Sequence, residues 1–100
     1  MDLFGGLDIG SRSIELVVRD PRQVISRHKT ATTFDPLAQI HSLTKGIRFD
    51  RLVATGYGRG LVADSGICGA VETITEIKAY GLGAQDLFPD VATVLDIGGQ

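Results

Sequence analysis

Two segments of the sequence combine an aspartate with small residues in a way that suits phosphate binding. Asp8–Ser11 reads Asp-Ile-Gly-Ser, and Asp96–Gly99 reads Asp-Ile-Gly-Gly. Glycine and serine let backbone N–H groups approach an anion closely, and an aspartate at the end of a strand can hold a magnesium ion through water. Facing each other, two such loops would clamp a triphosphate from both sides. The simpler alternative is that both segments are ordinary turns.

The first of these loops lies between two predicted strands. Leu3–Ile9 is an apolar run that contains two glycines, and Ser13–Arg19 places apolar residues at every second position. A period of two with β-branched residues is typical of a strand. Asp20–Arg22 contains a proline and predicts a turn, after which Gln23–Thr32 is predicted as a third, more exposed strand. These three segments predict an antiparallel meander, with Asp8 and Gly10 at the tight end of its first hairpin.

A helix and a fourth strand are predicted after the meander. Asp35 is a good N-cap residue, Pro36 suits the first helical position, and Gly46 suits the position just past the end of the helix. The short apolar segment Arg51–Thr55 then predicts a strand.

The remainder of the chain predicts a loop, a helix and a last strand. Gly56–Gly66 is predicted as a loop, and Ala70–Ile74 as either a brief strand or the approach to a helix. Apolar residues at helical spacing predict a helix whose apolar face runs from Ile77 to Leu87. Val91–Ile97 is strongly apolar and is predicted as a strand that leads into the second aspartate loop.

This order of elements predicts a ribonuclease H-like α/β lobe, with a three-stranded antiparallel meander followed by αβ units in a mixed sheet. Residues 1–90 are expected to form the lobe, and residues 91–100 to be the first strand of a second lobe. We expect that strand to leave apolar groups uncovered and to pair two copies of the chain.

The amino-acid composition indicates which kinds of partner and which cellular location to expect. The 100 residues carry a net charge of −2, and their ten basic residues are scattered, which argues against a nucleic-acid partner. The single cysteine, Cys68, cannot form a disulfide within one chain and fits a reducing, cytoplasmic setting. No apolar run is long enough for a transmembrane helix, and the first residues do not have the pattern of a signal peptide.

Several motifs together resemble one family of ATPases. Leu7–Ser11 and Val94–Gln100 resemble the two phosphate motifs of the actin-like superfamily, which includes heat-shock chaperones and sugar kinases. Ala54–Arg59, which reads Ala-Thr-Gly-Tyr-Gly-Arg, is similar to a signature of the BadF/BadG/BcrA/BcrD ATPases, and so are Glu76–Ala84 and Leu87–Pro89. That family includes the activators of 2-hydroxyacyl-CoA dehydratases and the ATPase subunits of benzoyl-CoA reductase.

The resemblance implies a function, cofactors and partners. ATP hydrolysis in a homodimer would drive a low-potential electron from a shared 4Fe–4S cluster to a CoA-ester dehydratase or reductase. The residues implied to contact phosphate or magnesium are Asp8, Gly10, Ser11, Asp96, Gly98 and Gly99. Of these, Asp8 and Asp96 are the implied magnesium-binding and catalytic residues. The cluster cysteines and the adenosine-binding segment are expected beyond Gln100, so the 100-residue chain is expected to be inactive as an ATPase.

The sequence does not decide what two departures from the family pattern do, and it is compatible with two alternative functions. The family usually has a lysine where this chain has Glu15, and often a histidine where it has Tyr80. Glu15 either weakens triphosphate binding or is simply solvated on the polar side of its strand. The alternative functions are a non-catalytic truncated module of the same fold and a small-molecule kinase of the same superfamily.

Overall fold

The described part of the chain is a mixed sheet with two helices. The computed structural model describes residues 2–66 and 71–74. Its elements are β1 (Phe4–Ile9), β2 (Ser13–Arg19), β3 (Val24–Ala31), α1 (Pro36–Thr44), β4 (Arg51–Thr55), α2 (Arg59–Ser65) and β5 (Glu72–Thr73).

The five strands form one sheet in the order β3-β2-β1-β4-β5. β1 pairs with β2, and β2 with β3, in antiparallel orientation, whereas β1–β4 and β4–β5 are parallel. The predicted meander and mixed sheet are therefore confirmed. Because β1 lies at the centre, its carboxyl end meets both the turn into β2 and the end of β4. We call this side of the molecule the carboxyl end of the sheet.

Alternation along the strands builds a core on one face of the sheet. On β1 and β2 the buried apolar residues occupy every second position, because successive side chains of a strand point to opposite faces. The two helices add Ile40 and Val62 to the same cluster. The buried apolar core consists of Leu7, Ile9, Ile14, Leu16, Val18, Ile40, Leu52, Ala54 and Val62.

The amino end of β4 fixes the register of the parallel pair. The N–H of Asp50 donates to the carbonyl of Leu3 at 2.8 Å, and the N–H of Leu3 donates to Asp50 Oδ2 at 2.6 Å. Next to these two hydrogen bonds, the exposed side chains of Arg51 and Glu72 form an ion pair. The hydrogen bond with Glu72, and then the charge of that carboxylate, raise the pKa of the Arg51 guanidinium. These contacts set the alignment that brings Thr55 beside Asp8 at the other end of the strands.

α1 has the predicted start and stop signals. The Asp35 side chain accepts a hydrogen bond from the N–H of Ala38 at 3.2 Å, and Pro36 is the first helical residue. Gly46 has φ +78°, the left-handed conformation expected of a glycine just past a helix. The cap and the glycine therefore have the predicted roles.

Loss of this cap should have a measurable cost. We expect Asp35→Ala to lower the free energy of unfolding by about 1 kcal/mol, because an N–H group of the first turn loses its acceptor. Asp35→Asn is the matched control, since asparagine caps about as well as aspartate. Urea unfolding followed by circular dichroism measures both variants. Equal losses for alanine and asparagine would show that the cap does not stabilise the helix.

Two sequence predictions need correction or completion. Gly56–Gly66 was expected to be a loop, but α2 occupies most of it, with Val62 fully buried and Gly66 left-handed at its end. α2 is only seven residues long and has no side-chain cap, so its sequence carries little helical signal. The ambiguous segment Ala70–Ile74 contains a strand, since β5 pairs in parallel with β4.

Other predictions fall outside the described residues. These are the helix from Ile77 to Leu87, the strand Val91–Ile97 with its expected pairing of two copies, the boundary at residue 90 and the departure at Tyr80. Within the described part, neither helix is long and apolar enough to cross a membrane.

Candidate functional site

The turn after β1, at the carboxyl end of the sheet, is held in shape by hydrogen bonds. The N–H of Gly10 donates to the carbonyl of Ser13 at 3.0 Å, which closes the turn. From the end of β3, Thr32 holds both sides of it: its N–H donates to the carbonyl of Arg12 at 2.9 Å, and its hydroxyl donates to the carbonyl of Gly10 at 2.8 Å. The turn therefore keeps its shape through contacts with two strands.

The tip of this turn is open to solvent. Ser11 and Arg12 are both exposed. No backbone hydrogen bond within the described residues engages the N–H of either one. Two such donors in a fixed turn are suited to binding an anion.

Asp8 lies one residue before the end of β1, on the face opposite the core. It is half-buried, between the buried residues Leu7 and Ile9. The structure therefore places Gly10 and Ser11 in the turn, and Asp8 in the strand just before it. This placement leaves the carboxylate beside the turn and outside the apolar cluster.

A row of polar residues crosses the sheet at the level of Asp8. Asp8 is the register partner of Glu15 on β2 and of Thr55 on β4, and Glu15 is the partner of Lys29 on β3. Register partners point to the same face of a sheet, so all four side chains share the face opposite the core. Asp8, Glu15 and Thr55 are half-buried, and Lys29 is exposed. We call these four residues the polar row.

The loop after β4 is fitted closely against the end of β1. The N–H of Gly58 donates to the carbonyl of Ile9 at 3.0 Å. Gly56 has φ +92°, and a Cβ built on it would lie 2.6 Å from the Ile9 carbonyl oxygen and 2.7 Å from Asp8 Oδ1. A Cβ at Gly58 would lie 2.5 Å from Ile9 Cγ2. Only residues without a side chain fit at these two positions, so the Gly-x-Gly spacing is a packing requirement of this site.

Arg59 and Tyr57 complete this loop. Arg59 Nη1 donates to the carbonyl of Gly56 at 2.9 Å, so the guanidinium holds the loop that carries it. Tyr57 is 85% exposed, although its neighbours on both sides are fixed against β1. The loop thus presents an aromatic ring to solvent from a rigid backbone.

Thr32 and Thr55 were not among the site residues predicted from the sequence, although Thr55 lies within the Ala54–Arg59 motif. The role of Thr32 depends on the β2–β3 pairing, which brings the end of β3 to the turn. A threonine at the end of a strand that runs parallel to β1 is the signal that could have identified Thr55. The second aspartate loop, with Asp96, Gly98 and Gly99, lies outside the described residues.

Two members of the polar row, Asp8 and Thr55, carry oxygen atoms of the kind that a magnesium ion can bind. The Thr55 hydroxyl oxygen is buried and has no hydrogen-bond partner within the described part of the chain, and its residue is in register with Asp8. Residues 2–66 and 71–74 contain no cluster of three or more acidic, histidine or cysteine side chains placed to hold a metal by themselves. Magnesium usually keeps several waters and takes one or two carboxylates plus substrate phosphates, so it does not require such a cluster.

Comparison with known proteins identifies relatives of this chain. The (R)-2-hydroxyglutaryl-CoA dehydratase activating ATPase of Acidaminococcus fermentans is 29% identical over 95% of this chain and 38% of its own length. The uncharacterized protein YjiL of Escherichia coli is 35% identical over 95% of this chain and 37% of its own length. The chain thus spans less than two fifths of either relative. No family model matches the sequence.

A solved structure agrees with these sequence matches. Component A of the (R)-2-hydroxyglutaryl-CoA dehydratase of Acidaminococcus fermentans superposes with a TM-score of 0.74 and 27% identity. The match covers 100% of this chain and 40% of that one. The similarity to dehydratase-activating ATPases and the actin-like, ribonuclease H-like class of fold, both predicted from the sequence, are confirmed.

Proposed function

We propose that this chain is the phosphate-binding part of an ATP-hydrolysing activator, because it is similar to the dehydratase-activating ATPases. The activator would drive low-potential electron transfer to a CoA-ester dehydratase or reductase. The observation that carries the proposal is the similarity to a dehydratase-activating ATPase over 95% of the chain. Because the chain spans 38% of that relative, the activity, substrate and partner of the whole protein are part of the proposal.

The turn after β1 would bind the phosphates of ATP. The exposed turn residues Ser11 and Arg12 would offer their backbone N–H groups to the phosphate oxygens, and Gly10, which has no side chain, would let the phosphate approach the turn closely. Asp8 would hold the magnesium ion, with the buried Thr55 hydroxyl as a further oxygen next to it. Bound magnesium neutralises phosphate charge as it develops during transfer. Asp96, with Gly98 and Gly99, would contribute the second loop of the same site.

A homodimer and an electron-transfer partner belong to the proposal through the resemblance. A 4Fe–4S cluster takes four thiolates, whereas the 100 residues contain one cysteine, Cys68, so they do not contain a set of cluster ligands. A cytoplasmic location is proposed from the low cysteine content.

ATP turnover by the 100-residue chain should be very slow. Catalysis requires the nucleotide to be held in a precise geometry, and contacts to the phosphates alone, without contacts to the adenosine, supply little binding energy for this. A phosphate-release assay with ATP and magnesium measures this. Turnover of about one per second, near the low end for typical enzymes and abolished in Asp8→Asn, would show that the chain is a complete ATPase.

Binding of ATP to the turn is the direct test of the proposal. We expect MgATP to shift the amide resonances of Gly10 and Ser11 in ¹H–¹⁵N spectra of the 100-residue chain. Asp8→Asn should weaken this binding by about tenfold or more, because interactions with a charged group are worth roughly 1.5–3 kcal/mol. Asp2→Asn is the matched control, since Asp2 is exposed before the other end of β1. Unchanged resonances, or equal affinity in Asp8→Asn, would count against phosphate binding here.

A further inference from the structure

Glu15 is placed beside Asp8 by the pairing of β1 and β2. The two are register partners on the face opposite the core, and both are half-buried. The Cβ atoms of directly opposed residues in an antiparallel pair lie about 4.5–5.5 Å apart. Glu15 is therefore not simply a solvated residue on the outside of its strand. The turn proposed to bind phosphate has two neighbouring carboxylates.

Within the described residues, Glu15 forms no ion pair that would neutralise its carboxylate. The next residue of the polar row is Lys29, on the outer strand of the sheet. No ion pair joins Lys29 to Glu15, and the one formed within the described residues joins Arg51 to Glu72. A bare polyphosphate that approaches the turn would meet two carboxylates, and like charges brought together are strongly unfavourable.

We propose that Glu15 is a specificity-determining residue that makes this turn accept phosphate only as its complex with a divalent cation. The inference rests on the proposed function and extends it. A cation between the carboxylates and the phosphate changes both repulsive contacts into attractive ones. Two carboxylates, the buried Thr55 hydroxyl and phosphate oxygens are the kind of oxygen ligands that magnesium takes, directly or through water. Metal-free ATP is excluded by the same carboxylates.

The test compares ATP binding with and without metal in the 100-residue chain. The readout is the amide shift of Gly10 and Ser11 on titration with ATP plus Mg²⁺, or with ATP plus a chelator, at constant ionic strength. In the wild-type chain we expect MgATP to bind at least about tenfold more tightly than metal-free ATP. In Glu15→Gln, which keeps the shape of the side chain, this ratio should fall to about threefold or less, because one of the two repelling charges is gone.

A charge reversal gives the second variant and its control. Glu15→Lys should bind metal-free ATP at least about tenfold more tightly than the wild-type chain, because repulsion is replaced by attraction. Asp2→Lys makes the same change in net charge roughly 20 Å away, at about 3.3 Å per residue along β1, and should leave both affinities as in the wild-type chain.

The possible outcomes separate this inference from the proposed function. If MgATP shifts the turn resonances but both Glu15 variants keep the wild-type ratio, the role of Glu15 is wrong and phosphate binding stands. If the wild-type chain binds metal-free ATP as tightly as MgATP, the role of Glu15 is also wrong. If ATP shifts no turn resonance with or without metal, the proposed function fails and this inference fails with it.

Discussion

Replacing Gly56 with alanine should lower the free energy of unfolding by about 3 kcal/mol and disrupt phosphate binding at the turn. Two effects combine, each worth roughly 1–3 kcal/mol: strain of a non-glycine residue at positive φ, and overpacking. Gly56 has φ +92°, and an added Cβ would lie 2.6 Å from the Ile9 carbonyl oxygen and 2.7 Å from Asp8 Oδ1. Relief of the clash would move the loop that carries residue 56, the backbone of β1 or the Asp8 carboxylate, and each of these moves alters the site.

Gly46→Ala is the matched control for the strain alone. Gly46 also has a positive φ, +78°, but a Cβ built there has no atom within 4 Å. We therefore expect a loss of about 1 kcal/mol for Gly46→Ala and no change in MgATP binding. Urea unfolding gives the stabilities, and the amide shifts of Gly10 and Ser11 give the binding. Equal stability losses for the two variants would show that the contact between Gly56 and β1 does not matter.

Shortening Leu16 to alanine should cost about 3 kcal/mol, within the roughly 2–5 kcal/mol range for buried leucines. Leu16 is 0% exposed and pairs with Leu7 at the centre of the sheet. A domain of this size has a total stability of roughly 5–15 kcal/mol, so the substitution removes a large share of it. The expected result is a clearly lower urea midpoint, measured by circular dichroism.

Leu61→Ala deletes the same atoms at a position that is 51% exposed. Surface substitutions usually change stability by about 0.5 kcal/mol or less, so its midpoint should stay close to that of the wild-type chain. A loss at Leu61 as large as that at Leu16 would mean that Leu61 is covered in solution.

Local signals in the sequence were sufficient for most of the described elements. β2 and β4 have the predicted bounds, because alternation of apolar residues and flanking turn residues act over a few positions. Asp35 and Gly46 marked the limits of α1 for the same reason. α2 was missed because burial of Val62 against the sheet stabilises it, and a contact distant in sequence leaves no local pattern.

For the candidate site, too, local sequence signals predicted one part, and the rest depends on contacts between residues distant in sequence. The Asp8–Ser11 motif correctly indicated a strand end followed by a turn, since both are encoded locally. The neighbours of Asp8 depend on strand register: Glu15 through an antiparallel pair and Thr55 through a parallel one. Period two alone predicted only that Glu15 lies opposite the core. The pairing decides which side chain it lies beside.

The parallel pairing of β1 with β4 has a consequence for the order in which the molecule assembles. The hydrogen bonds between Leu3 and Asp50 join residues 47 positions apart, whereas β1 and β2 are joined by a tight turn. Loop-closure entropy and contact order favour early formation of the hairpin and later closure of the parallel pair. We therefore expect the turn after β1 to form before the Gly56 loop reaches it, so that the candidate site is completed late in folding. A ligand that needs both parts would stabilise only the fully paired sheet, and so would act on that final step.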